Sequence, residues 1–136
     1  MDDDECRRRF GSADHAYLAT VRSDGAPQLL PVGFDLTDDQ VAVVVDHKPK
    51  RTTALRRLRN IGQNPRVCLL ADAYSADWDA LWWVRADGSA VVVDGGRAHE
   101  NAIRLLVQRY PQYVDEPPVG PVILITIDRW TGWSAR

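Results

Sequence analysis

His15-Ala16-Tyr17-Leu18-Ala19-Thr20-Val21, then Ser23-Asp24-Gly25-Ala26-Pro27, then Gln28-Leu29-Leu30-Pro31-Val32-Gly33-Phe34 reads as strand, turn, strand. Both parities of the first segment carry residues that suit a strand, and the interruption is rich in turn chemistry. Pro31 and Gly33 fit poorly in a well-paired central strand unless the backbone there serves a close approach. Beyond a loop at Asp35 to Gln40, the continuous apolar run Val41 to Val45 predicts a strand covered on both faces. Arg66 to Ala71 is a further strand. Leu81 to Val93 splits around Asp87-Gly88, a strong hairpin signal, into two more. Val122 to Ile127 is the last, with Trp130 and Trp133 following it.

Three helices complete the pattern. Asp2, Asp3, Asp4 and Glu5 precede Arg7, Arg8 and Arg9, the charge order that favours a helix through its dipole. Ala54, Leu55, Leu58 and Ile61 recur at helical spacing, with Arg56, Arg57 and Arg59 on the outer side. A third helix covers about Glu100 to Tyr110 and is ended by Pro111. Seven strands with no helix regularly inserted between successive ones disfavour a doubly wound sheet. The expectation is a mainly antiparallel β-barrel with accessory helices.

At 136 residues and 15.3 kDa the chain has the size of one domain, residues 1–136. A net charge of −2 argues against a protein built to neutralise a nucleic-acid backbone. The acidic start is wrong for a signal peptide, and no run approaches the roughly 18 apolar residues of a membrane helix, so a cytoplasmic protein that uses no membrane is expected. Cys6 and Cys68 lack neighbours at metal-ligand spacing, which predicts free thiols and no metal site.

Two stretches invite ligand chemistry. Of the 17 basic residues only Lys48 and Lys50 are lysines, and they stand in His47-Lys48-Pro49-Lys50-Arg51-Thr52-Thr53, between a strand and a helix. Ammonium groups, a guanidinium fork and hydroxyls at a helix start suit a phosphate; the alternative is a solvated basic turn whose threonine caps the helix. The loop lacks the glycines of a P-loop. The second stretch is Asp77-Trp78-Asp79-Ala80-Leu81-Trp82-Trp83-Val84-Arg85. Alternation sends Trp82 and Trp83 to opposite faces, so one reaches the core and the other needs an opposed surface, a second subunit or a planar ligand. His15, His47 and His99 are dispersed, and no side chain carries the signature of a nucleophile.

Tyr17 to Pro27 leading into Pro31-Val32-Gly33-Phe34, then Lys48-Pro49-Lys50-Arg51 and Asn64-Pro65-Arg66-Val67, resemble the pyridoxamine 5′-phosphate oxidase-like, flavin-binding split β-barrel family over nearly the whole chain. Asp77-Trp78, Leu81 to Arg85, Gly88-Ser89-Ala90 and Tyr110-Pro111-Gln112-Tyr113 resemble its actinobacterial subgroup of coenzyme F420-dependent oxidoreductases. The resemblance implies a split β-barrel in which Lys48, Lys50, Arg51 and Thr52 hold the cofactor phosphate and Pro31, Val32 and Gly33 line the ring. It also implies a homodimer with the cleft between two barrels, where Trp78, Trp82 or Trp133 reaches the ring from either subunit. Arg56, Arg57 and Arg85 are candidates for a longer anionic tail.

With the ring carrying the hydride, no catalytic side chain is required. The expected function is F420-dependent hydride transfer to an unsaturated small molecule. An FMN-dependent oxidase or reductase and a non-catalytic cofactor or tetrapyrrole binder are the alternatives, and a nucleic-acid module is disfavoured.

Overall fold

The computed structural model describes residues 1–45 and 51–136, and of residues 51–55 the backbone alone. Its elements are α1 (Asp3–Ser12), β1 (Ala16–Val21), β2 (Pro27–Val32), β3 (Asp35–Thr37), β4 (Gln40–Val44), α2 (Arg51–Gln63), β5 (Arg66–Ala73), β6 (Trp82–Val93), α3 (Arg97–Arg109) and β7 (Val122–Ser134). Short 3₁₀ turns at Trp78–Ala80 and Pro111–Tyr113 precede β6 and follow α3. The strands form one antiparallel sheet in the order β2-β1-β5-β6-β7-β4-β3.

The outermost strands of this order, β2 and β3, are consecutive in the chain and separated only by Gly33 and Phe34. That short link draws the two sheet edges together at one corner. No ladder joins β2 to β3 among the described residues, so the curled sheet is a half-barrel, the split barrel expected. Pro31 is tolerated because β2 is an edge strand, paired only with β1.

Two expectations are corrected. Leu81 to Val93 is no hairpin: β6 is one strand of 12 residues running along β7. The register shifts between Asp87 and Gly88, which pair with Arg129 and Ile127 and leave Asp128 as the extra residue of a bulge. Gly88 is required by close approach, since a Cβ there would lie 2.2 Å from the Thr126 carbonyl oxygen. The second correction is β3, a three-residue strand within the stretch read as a loop. The final strand also continues to Ser134, so Trp130 and Trp133 belong to it.

Alternate residues of each strand face the interior: Ala16, Leu18 and Thr20 of β1, Val67, Leu69 and Ala71 of β5, Val84 and Ala86 of β6, and Ile123, Ile125 and Ile127 of β7. Helix α1 is capped by Asp2, whose carboxylate accepts from the Glu5 amide at 2.8 Å, and inserts Cys6 and Phe10 into this core. Phe10 meets Phe34 and Trp130 with ring centroids 4.8 and 5.5 Å apart. Helix α2 joins the same core through Ile61 and partly buried Leu58. Helix α3 lies on the other side of the sheet, where Ala102 and Leu106 cover Ala42, Val44, Val122 and Leu124. The run Val41 to Val45 is thus covered on both faces, as its composition requires.

Candidate functional site

With α1 and α2 inside and α3 over the β4–β7 half, the outer face of β2, β1, β5 and the first half of β6 is left bare among the described residues. Register defines what it presents. Pro31, Tyr17, Leu70, Arg85 and Thr131 form one row across five strands, and Leu29, Ala19, Cys68, Asp87 and Arg129 form the next. Asp72, Trp83 and Trp133 begin a third. Leu29 is 65% exposed and Trp133 47%, although both are apolar strand residues. Tyr17, Ala19, Leu29, Cys68, Leu70, Asp72, Trp83 and Arg85 line a concavity of about 520 Å³, within the range of small-molecule sites.

The polar groups of the concavity are few. Arg85 Nε donates to the Asp87 carboxylate at 3.3 Å. Burial, with the Asp87 charge next, pushes the Cys68 thiol above its ordinary range. Thr131, opposite Arg85, has its hydroxyl oxygen buried with no hydrogen-bond partner among the described residues. At the rim, His15 Nε2 stands 3.4 Å from the Tyr17 hydroxyl.

The candidate residues are distributed unevenly. Pro31 lies exposed on this outer face, beside Tyr17. Val32 is buried opposite Ala16, so its side chain belongs to the core and only its backbone is available to a ligand. Gly33 faces the Tyr110 ring. Trp78 is 72% exposed on the 3₁₀ turn before β6. Trp83 takes the outer face, whereas Trp82 is partly buried against the core, with the Arg9 guanidinium 5.9 Å from its ring centre. Lys48 and Lys50 lie outside the described residues; Arg51 and Thr52 open α2, and only their backbone is described.

The sequence reading missed the outer residues Leu29, Leu70 and Cys68 as a set. The available signal was alternation: positions between the core residues of β1, β2 and β5 are also apolar, which a solvated face does not require. It also missed Arg109 and Tyr110 at the Gly33–Phe34 corner, which no local pattern connects to that segment. Both cysteines are free thiols, Cys6 buried and Cys68 half-buried. Among the described residues no cluster of His, Cys, Asp or Glu could hold a metal ion, and no helix is long and apolar enough to cross a membrane.

Among the described residues the architecture is an antiparallel split barrel with three helices and a bare apolar outer face. The chain belongs to the pyridoxamine 5′-phosphate oxidase family, whose model matches residues 2–134. Among solved structures it is similar to the conserved hypothetical protein Rv2991 from Mycobacterium tuberculosis (21% identity, 100% of this chain and 86% of that one, TM-score 0.78). It is also similar to the FAD binding protein from Mycobacterium smegmatis (18%, 98% and 94%, TM-score 0.67) and to HutZ, the haem storage protein from Vibrio cholerae (17%, 96% and 90%, TM-score 0.71). No curated protein matches the chain.

Proposed function

We propose that this chain binds a flavin-type cofactor, coenzyme F420 in preference to FMN, in a cleft between the outer faces of two copies, and supports hydride transfer to an unsaturated small molecule. The observation that carries the reading is the bare apolar concavity beside Pro31, on the half of the sheet that no described helix covers. Exposed Leu29, Leu70 and Trp133 in one sheet face are the surface a second copy would bury. The similarity to an FAD binding protein supports a flavin-type ring.

Bound there, the ring supplies hydride chemistry. The chain's residues orient it and exclude water: Pro31 and the outer side chains form the wall, Lys48, Lys50, Arg51 and Thr52 hold the phosphate, and Trp78 or Trp133 closes over the ring. Arg85, already within the concavity, is placed for an anionic tail better than a core residue would be. FMN shares the phosphate, so preference for F420 rests on tail contacts and on the ring wall.

Tetrapyrrole binding is the second reading. It is favoured by His15 and Tyr17 at the rim, two groups able to ligate haem iron, and by the similarity to a haem storage protein. Titration with F420, FMN and haemin separates them. Tightest binding of F420, with oxidation of reduced F420 by enones, supports the proposal. Tighter FMN binding moves it to the FMN enzyme, and haemin binding without flavin binding replaces it by the tetrapyrrole reading.

A further inference from the structure

The corner where β2 passes into β3 is gripped by the end of α3. The Phe34 amide donates to the Tyr110 hydroxyl at 2.9 Å, and that hydroxyl donates to the Asp14 carbonyl at 2.9 Å. Arg109 Nη2 donates to the carbonyls of Gly11 and Ala13 at 3.0 and 2.5 Å, and its guanidinium lies 4.4 Å from the Phe34 ring centre. A Cβ on Gly33 would sit 3.3 Å from Tyr110 Cζ, so this glycine allows the tyrosine ring to close on the backbone. One dipeptide therefore ties α3, the end of α1 and the Gly33–Phe34 link.

Among the described residues edge strand β2 pairs on one side only, so its last residues depend on β1 and on this grip for their position. The grip also changes what the segment offers. The Phe34 N–H is occupied by Tyr110 and the side of Gly33 is covered by its ring, leaving exposed Pro31 and the backbone around it to meet a ligand.

We infer that Arg109 and Tyr110 are positioning residues for the cofactor ring, acting through Gly33 and Phe34 to set the Pro31 wall; the inference rests on the reading that the ring lies against that wall. The phosphate loop is a separate anchor. Loosening the corner therefore weakens recognition of the ring and leaves the phosphate contribution intact.

The test compares riboflavin, which lacks the phosphate, with FMN on the full-length protein and on Tyr110→Phe, which keeps the ring over Gly33 and removes both hydrogen bonds. The expected result is a loss of about fivefold or more for both ligands by the same factor, the size of one net hydrogen bond in ordering, with a changed near-ultraviolet dichroism of the bound ring. Lys50→Ala/Arg51→Ala must instead weaken FMN alone. Gly33→Ala, which pushes on Tyr110 without deleting a polar group, gives a second perturbation. Its effect must be less than additive with Tyr110→Phe, and it carries the comparison if the tyrosine variant does not fold. Unchanged riboflavin and FMN affinities in the folded variants overturn the positioning role while the cofactor reading stands. Failure of the unaltered protein to bind riboflavin, FMN or F420 overturns both.

Discussion

Asn60→Ala tests how α2, whose first residues include Arg51 and Thr52, is held to the barrel. Asn60 and Thr20 are the buried polar residues among those described, 3% and 1% exposed. Asn60 Nδ2 donates to the Thr20 hydroxyl at 3.1 Å and to the Gln28 side-chain oxygen at 2.8 Å, tying α2 to β1 and β2 at once. Truncation removes both bonds, each worth about 0.5–1.5 kcal/mol net, and leaves the Thr20 hydroxyl buried without this partner at about 1–3 kcal/mol. A total of about 2–4 kcal/mol is expected once partial relaxation is allowed. With a urea slope of about 2 kcal/mol per M, the middle of the usual range, the unfolding midpoint falls by about 1–2 M. Thr20→Val removes the stranded hydroxyl while keeping its volume, so Asn60→Ala/Thr20→Val must lose less than the sum of the single variants by about 1 kcal/mol. A loss below about 1 kcal/mol for Asn60→Ala, or additivity within about 0.5 kcal/mol, would refute the buried-network account.

Three further outcomes are expected. Leu70→Glu puts a charge in the middle of the outer face without touching the core, so it should raise the dissociation constant of the proposed dimer about 100-fold or more; sedimentation that is dimeric for the unaltered protein and unchanged in the variant would exclude this face as the interface. Lys50→Ala/Arg51→Ala should weaken FMN and F420 at least about tenfold through lost charge-assisted contacts, read by fluorescence titration, and unchanged affinity would return the loop to a solvated turn.

Acid sensitivity has a defined sign. Arg8 and then Arg9 hold the Glu5 carboxyl down from 4.5 to about 2. Arg7, then the Trp130 indole N–H, lower Asp39. Both groups favour the fold above their unfolded pKa values, and that contribution is lost as pH falls through the folded ones. Glu5→Gln/Asp39→Asn should therefore flatten the stability profile between pH 4.5 and about 2, and an unchanged slope in acid denaturation would count against these pairs.

What was legible in the sequence came from interactions of short range. Turn residues at Ser23 to Pro27, the charge order of α1, the apolar spacing of α2 and α3, and the run Val41 to Val45 each report a local preference, and together they select an antiparallel barrel. The opposed faces of Trp82 and Trp83 follow from strand period alone. The Asp87-Gly88 pair shows where this stops. A glycine permits a turn and equally permits close approach, and only the Thr126 backbone on β7 determines which is used.

By itself the chain determined most of the strands and helices, β3 and the unbroken β6 excepted, because turn chemistry and hydrophobic period act between residues a few positions apart. Tertiary structure alone decided that β2 and β3 are the edges, that α3 covers one outer half and leaves the other bare, and that Tyr110 reaches Phe34 across 76 residues. Those outcomes depend on which apolar surfaces meet when the sheet curls, and burial is a non-directional force that any matching surface satisfies. The order of strands settles which one does.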